Sequence, residues 1–264
     1  MSKTQRQRKQ NSFRLDYLLA HAGFGSRKEV KKQLKSAAFS LAGEALRDPS
    51  THIEIDQIQN LYYRGNPINI QLSAHLLLNK PAGYLTALED RSLPCVAELL
   101  TPELLAAGLK PCGRLDLDSE GALLFTNDGQ LLHRLSSPKH EVEKVYYLHY
   151  TGKRPDQGAR TQLENGSIIL DDRPCLDATV YLDGDENPYM ELRANEAIIC
   201  IREGRYHQVK RMFSAIGAPL SYLRRIAFGP LHLDDRLPLG SHRLLEPSEV
   251  EALYQICDLE VPTL

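Results

Sequence analysis

A mixed helix-and-strand body, of α+β or α/β class, behind a smaller basic domain is what the sequence predicts. Three observations carry this. The chain has 264 residues, long for one compact core and enough for a small and a large domain. From residue 74 onward, apolar or alternating runs that read as strands are interleaved with helical periodicities. Charge is also unevenly spread. Residues 1–36 hold ten Lys or Arg and two acids, a net of +8, whereas the remainder holds 22 basic and 32 acidic residues, a net of −10. Basic charge gathered at one end suits a polyanion-binding module, or else a solvated lysine face with a tail.

In chain order, residues 1–12 lack large apolar residues and carry Lys3, Arg6, Arg8 and Lys9, which predicts a flexible basic tail. A small domain follows over 13–60. Leu15, Leu18, Leu19 and Ala22 are spaced as on a helix that Gly23 and Gly25 end. Ser26, with Glu29 three residues on, forms a capping box for a second helix. Val30 and Leu34 face inward there, amid Arg27, Lys28, Lys31, Lys32 and Lys35. Phe39, Leu41 and Gly43 suggest a short strand and turn. Residues 61–73 read as a linker, broken by Gly65, Asn66 and Pro67. The body spans 74–264. Strands are expected near 75–79, 122–126, 144–151, 177–182 and 197–202, and helices near 129–136, 156–164, 206–216 and 248–256. No internal repeat is present.

Several classes are excluded. No apolar run approaches the ~18 residues of a membrane span. The charged N-terminus has no apolar stretch behind it and is not a secretory signal. Five widely spaced cysteines without a CxxC pair argue against a disulfide framework or cysteine zinc site. A reducing cytoplasm fits best.

Three segments are dense enough in polar groups to carry chemistry. Gly113-Arg114-Leu115-Asp116-Leu117-Asp118-Ser119-Glu120-Gly121 leads into an apolar strand, Ala122 to Phe125. Polar residues on a loop held by a rigid element are a common catalytic placement, although an acidic solvated turn looks the same by composition. Asp116, Asp118, Glu120 and Gly121 also match the opening of a calcium-binding EF-hand loop. Asn127 stands where that loop needs a glutamate, and a strand follows where it needs a helix. In the second segment, Val209, Met212, Phe213 and Ile216 form an apolar stripe, leaving Arg205, His207, Lys210 and Arg211 on the other faces. Those four groups suit a phosphate clamp or simply a solvated basic helix. In the third, Lys144, Tyr146, Leu148 and Tyr150 share one face of a strand. A tyrosine placed so stacks on an extruded base or packs against a helix.

Together and in this order the segments resemble bacterial ribosomal-RNA pseudouridine synthases. The resemblance rests on Asn79-Lys80-Pro81-x-Gly83, on Gly113-Arg114-Leu115-Asp116 with Gly121 and Thr126-Asn127-Asp128-Gly129, on Lys144-x-Tyr146, and on Glu203-Gly204-Arg205-x-His207-Gln208-Val209-Lys210-Arg211-Met212. Arg14-Leu15-Asp16 with Gly23, Ser26 and Arg27 resembles the S4 RNA-binding domain that precedes them. The matching stretch is 13–247. Its subfamily is the one typified by small-subunit rRNA pseudouridine synthase A. Ala37 and Ala42 depart from the S4 pattern, which has glycine and asparagine there. Ser119 and Ala122 replace a threonine and a leucine of the catalytic motif.

The resemblance implies an α+β fold: an S4 domain, then a mixed, mainly antiparallel sheet with flanking helices. It implies isomerisation of a uridine, in small-subunit (16S) rRNA, to pseudouridine. Asp116 is the implied nucleophile, Lys210 its cationic partner and Tyr146 the residue against the base. Leu223 is an apolar wall, and Arg114 contacts RNA near the flipped nucleotide. Arg205, His207 and Arg211 are candidates for binding substrate, and Arg14, Ser26, Arg27, Lys28 and Lys31 for the S4 contact with RNA. The reaction gains and loses no group and changes no oxidation state, so no cofactor and no metal are expected. The partner is ribosomal RNA or a small-subunit assembly intermediate, bound by a monomer, with no membrane. The alternatives are a synthase acting on large-subunit (23S) rRNA, a non-catalytic RNA-binding or ribosome-assembly protein, and an RNA glycosidase.

Overall fold

The computed structural model describes residues 12–68, 70 and 74–261. The tail expected over 1–12 lies outside them, save Ser12. The chain forms two compact units: residues 1–74 with 100–109 and 262–264, and residues 75–99 with 110–261.

The strands of the first unit are β1 (Ser12–Arg14), β2 (Phe39–Leu41), β3 (Glu44–Ala45), β4 (His52–Glu54), β5 (Leu61–Tyr63) and β6 (Asn66–Pro67). Its helices are α1 (Leu15–His21), α2 (Arg27–Gln33) and α3 (Pro102–Ala106). β1 pairs with β4, and a sheet of order β3-β2-β5-β6 is antiparallel throughout. Leu15, Leu18 and Leu19 of α1 meet Val30, Leu34 and Phe39 in a fully buried core. The capping box at Ser26 and Glu29 is formed. The expected linker is corrected by this sheet. Residues 61–67 are a hairpin, because Arg64 and Gly65 both take left-handed φ, 50° and 81°, and so turn the chain within two residues. Positions 69 and 71–73 of that expected linker lie outside the described residues. Segment 100–109, expected in the body, belongs to the first unit.

In the second unit, the described residues build a nine-stranded sheet. Its strands are β7 (His75–Lys80), β8 (Lys110–Pro111), β9 (Glu120–Thr126), β10 (Lys144–Tyr150), β13 (Thr179–Leu182), β14 (Glu196–Ile201), β15 (Leu220–Phe228), β16 (Leu231–His232) and β17 (His242–Leu244); β11 (Ile169–Leu170) and β12 (Arg173–Pro174) form a separate hairpin. The main order is β13-β14-β10-β15-β9-β7-β17, with β16 on β15 and β8 on β9. The pairs are antiparallel except β15 with β9. Helices α4 (Gly129–Ser136), α5 (Gln157–Glu164), α6 (Gln208–Ala215) and α7 (Pro247–Ile256) flank it. Leu131 and Leu135 of α4 and Leu253 and Tyr254 of α7 pack with Leu77 and Leu124. The fold is therefore α+β with a mixed, mainly antiparallel sheet. The strand at 220–228 was not expected, since Arg224 and Arg225 interrupt its apolar run. Yet β15 lies between β10 and β9, and Arg225 is 1% exposed.

Gly121 lets β9 and β15 meet. It holds φ 105°, and a Cβ there would lie 2.1 Å from the carbonyl oxygen of Arg225. No L side chain fits that approach.

Candidate active site

Asp116 stands on the loop leading into β9, and the loop is fixed from below. Lys80, the last residue of β7, is fully buried. Its Nζ donates to the carbonyl oxygens of Asp116 (3.0 Å), Ser119 (2.8 Å), Pro81 (3.1 Å) and Leu117 (3.4 Å). Burial pulls the Lys80 ammonium down to about 8, against the attraction of Asp118 and Asp116. The Thr86 hydroxyl donates to the Leu115 carbonyl (2.7 Å) and accepts from the Leu115 N–H (3.1 Å). The Gly83 N–H donates to the Leu117 carbonyl at 2.7 Å. The backbone on both sides of Asp116 is thus tied to residues 80–86.

Its side chain meets α6. Lys210 Nζ is 3.1 Å from Asp116 Oδ2 and also pairs with Asp118. Burial lowers the Lys210 ammonium, but the hydrogen bonds to Asp118 and Asp116 outweigh it and hold the group above its ordinary value. His207 Nε2 lies 3.6 Å from Asp116 Oδ1. His207 takes a left-handed backbone (φ 48°) at the start of α6 and stacks on Tyr206, 3.9 Å between ring centroids. Non-glycine residues in that conformation are strained, and such strain gathers at functional sites.

Asp116 borders a cavity of about 660 Å³. Arg114, Tyr146, Leu223 and His207 line it too. Tyr146 and Leu223 are buried, and Arg114 is exposed. Arg205 borders the cavity, but its guanidinium is turned away from the expected role. It donates to the carbonyls of Leu170, Arg173 and Pro174 and to Glu203. Arg211 bonds both oxygens of Asp171 and lies off the cavity lining. These two arginines pin the β11–β12 hairpin instead of standing free for phosphate.

In the first unit, Arg14, Arg27 and Lys31 converge on Asp16, which is fully buried. Ser26 is engaged with Glu29, and Lys28 is exposed. Burial pushes the Asp16 carboxyl up, but hydrogen bonds from Arg14 and Arg27 prevail and hold it below the usual carboxylate range.

The EF-hand alternative fails on the fold. Glu120–Thr126 is a strand, where that motif needs a helix, and Asp116 and Asp118 already share Lys210. Sequence reasoning missed the anchoring role of Lys80 and the burial of Arg225. The signal for Lys80 was a lysine closing an apolar run just before proline.

A carboxylate held beside a lysine thus borders this cavity, and known proteins resemble the chain in sequence and fold. A family model described as RNA pseudouridylate synthase matches residues 74–215. An uncharacterized RNA pseudouridine synthase of Bacillus subtilis (strain 168) is 38% identical, over 92% of this chain and 98% of its own. Ribosomal small subunit pseudouridine synthase A of Yersinia pestis is 34% identical, over 91% and 97%. A pseudouridylate synthase crystal structure superposes with a TM-score of 0.62 at 31% identity, covering 91% of this chain and 99% of that one. Sequence and fold likeness together define an RNA-modifying isomerase. The chain belongs to the RNA pseudouridylate synthase family. Among the described residues no helix is long and apolar enough to cross a membrane.

Proposed function

We propose that the protein converts a uridine of small-subunit ribosomal RNA to pseudouridine, with Asp116 as nucleophile. The observation that carries this is the 3.1 Å Asp116–Lys210 pair at a cavity walled by Tyr146 and Leu223. A carboxylate is a competent covalent catalyst when a cation keeps it ionised. It attacks the flipped nucleoside at C1′ of the sugar or C6 of the base. Tyr146 lies against the ring and assists removal of the C5 proton. Extruding the base costs a few kcal/mol, which phosphate contacts offset. Arg114 serves at the cavity, and the first unit, read as an S4-type module, adds its basic surface around Lys28.

The small-subunit target is supported by the Yersinia pestis relative, whose name carries it. The test is to map pseudouridines in rRNA from cells with the gene, without it, and with Asp116→Asn. One small-subunit pseudouridine should vanish in both altered strains, while purified Asp116→Asn still binds the RNA. An unchanged map refutes the activity, and a lost large-subunit site moves the target.

A further inference from the structure

The lining of the same cavity includes two cationic side chains, Arg225 and Lys144, that form no ion pair among the described residues. Arg225 on β15 and Tyr146 on β10 are cross-strand partners, so their side chains share a face of the sheet. Lys144 is two residues from Tyr146 on that face. Arg225, Lys144 and Tyr146 all line the cavity. The Arg225 Nε donates to the Ala122 carbonyl at 2.7 Å, while its Nη2 is buried with no partner. Lys144 Nζ donates to the Val142 carbonyl at 2.6 Å. Both cations lie over the Phe228 ring, at 5.0 Å and 5.7 Å from its centroid. The carboxylate that most attracts Lys144, Glu203, is already held by Arg205 and Gln208. A buried charged donor without a partner, on a residue of the cavity wall, calls for an electron-rich group that reaches it when a ligand is seated.

We propose that Arg225, with Lys144 beside it, cradles the uracil ring and stabilises the negative charge its carbonyl oxygens gain during the reaction. This rests on the pseudouridine reading of the same cavity. In the cleavage step a carboxylate oxygen of Asp116 bonds to C1′, and the C1′–N1 bond breaks with its electron pair passing to the ring. That charge is shared by N1, O2 and O4. The ring turns and C5 gives a pair to C1′, which expels the Asp116 carboxylate. The C5 adduct is neutral, and loss of its C5 proton to a base with gain of a proton at N1 completes pseudouridine. Attack at C6 would load O4 with equivalent charge, so the cradle serves either route. Fixed donors aimed at developing charge are a large catalytic term, and removing one costs on the order of 100-fold in rate.

The test compares single-turnover rates on RNA carrying uridine or 5-fluorouridine at the target, followed as loss of the starting nucleoside in nuclease digests. Fluorine withdraws electrons and eases charge onto the ring. Arg225→Met should lose about 100-fold on uridine and clearly less on 5-fluorouridine, with RNA affinity kept. A merely structural defect slows both substrates alike, and equal losses, or none, overturn the proposal. If Arg225→Met does not fold, Lys144→Met decides by the same ratio. The wild type and Asp116→Asn, run alongside, keep this outcome separate from the reading it rests on. If the wild type forms no pseudouridine, that reading falls. If the wild type is active and the ratio is flat, only the cradle falls.

Discussion

Two aspartates, one in each unit, show how surroundings decide what a carboxylate does. Asp16 is wholly buried, and Arg14 and Arg27 donate to both of its oxygens. Asp116 keeps a side-chain exposure of 26%, with Lys210 on one oxygen and His207 beyond bonding distance of the other. The first is saturated with donors and ties α1 to α2. The second is paired with Lys210, anchored through its backbone and still open to the cavity. Donor saturation makes a fastener, whereas an unfilled lone pair at a cavity suits the nucleophile proposed above.

The largest expected effect breaks the comparison at its centre. Asp116→Asn should cut turnover by at least ~1,000-fold with little change in melting temperature. Asp16→Asn should do the reverse. It should lower the stability of the first unit by ~1–3 kcal/mol, discounted because both arginines are half exposed, and leave turnover on saturating RNA intact. Denaturant unfolding beside single-turnover kinetics reads both. A dead Asp16→Asn enzyme would end the distinction.

Next is Gly121→Ala. The added Cβ meets a backbone carbonyl, so β9 and β15 must part, at ~3 kcal/mol or more. Calorimetry should show the second unit melting early, and an unchanged transition would contradict the approach.

Lys80→Met sharpens the role of the anchor. It removes every carbonyl contact of the ammonium below Asp116 and should slow turnover by ~100-fold, as misplacing a reacting group does, while RNA affinity stays near that of the wild type. The same group sets a pH dependence. Folding lowers Lys80 from 10.5 to about 8. Activity should therefore fall as pH rises through about 8, when the ammonium loses a donor proton. Lys144, also brought down to about 8 by burial and by Arg225, adds to the fall. The stability term runs the other way. Between about 8 and 10.5 the unfolded chain binds the extra proton, so this group favours folding more as pH rises. A flat rate profile between about pH 7 and about pH 9.5 would detach Lys80 and Lys144 from catalysis.

The smallest effects lie in the first unit. Ala37 and Ala42 hold φ 54° and 48°, a left-handed backbone that favours glycine. Ala37→Gly and Ala42→Gly should each stabilise the unit by ~1 kcal/mol by relieving the left-handed Cβ clash. A loss of stability on either change would show that the alanines fit without strain.

Legibility followed the physics. Alternation and apolar runs located β7, β9, β10, β13 and β14, because those side chains are buried by periodic packing. β15 was hidden, because Arg225 is buried for a polar reason that hydropathy counts as exposure. The 61–67 hairpin was hidden because Arg64-Gly65 reads as a break, although a two-residue turn with positive φ continues a sheet. At the site, Asp116 and Lys210 were indicated by resemblance. The intramolecular partners of Arg205 and Arg211 were not legible, since a sequence shows that an arginine is present but not which oxygens surround it. The anchor at Lys80 depends on four oxygens converging from separate turns, which no spacing encodes.

The place of β15 in the sheet carries a consequence for biogenesis. It joins β9 to β10, yet Gly121 and Arg225 are about a hundred residues apart in sequence. Closing so long a loop is slow, and on the ribosome β15 emerges after the strands it must join. A nascent chain therefore exposes Asp116 well before Lys210 and Arg225 exist. A chain cut short before α6 and β15 would carry the proposed nucleophile without the lysine that pairs with it.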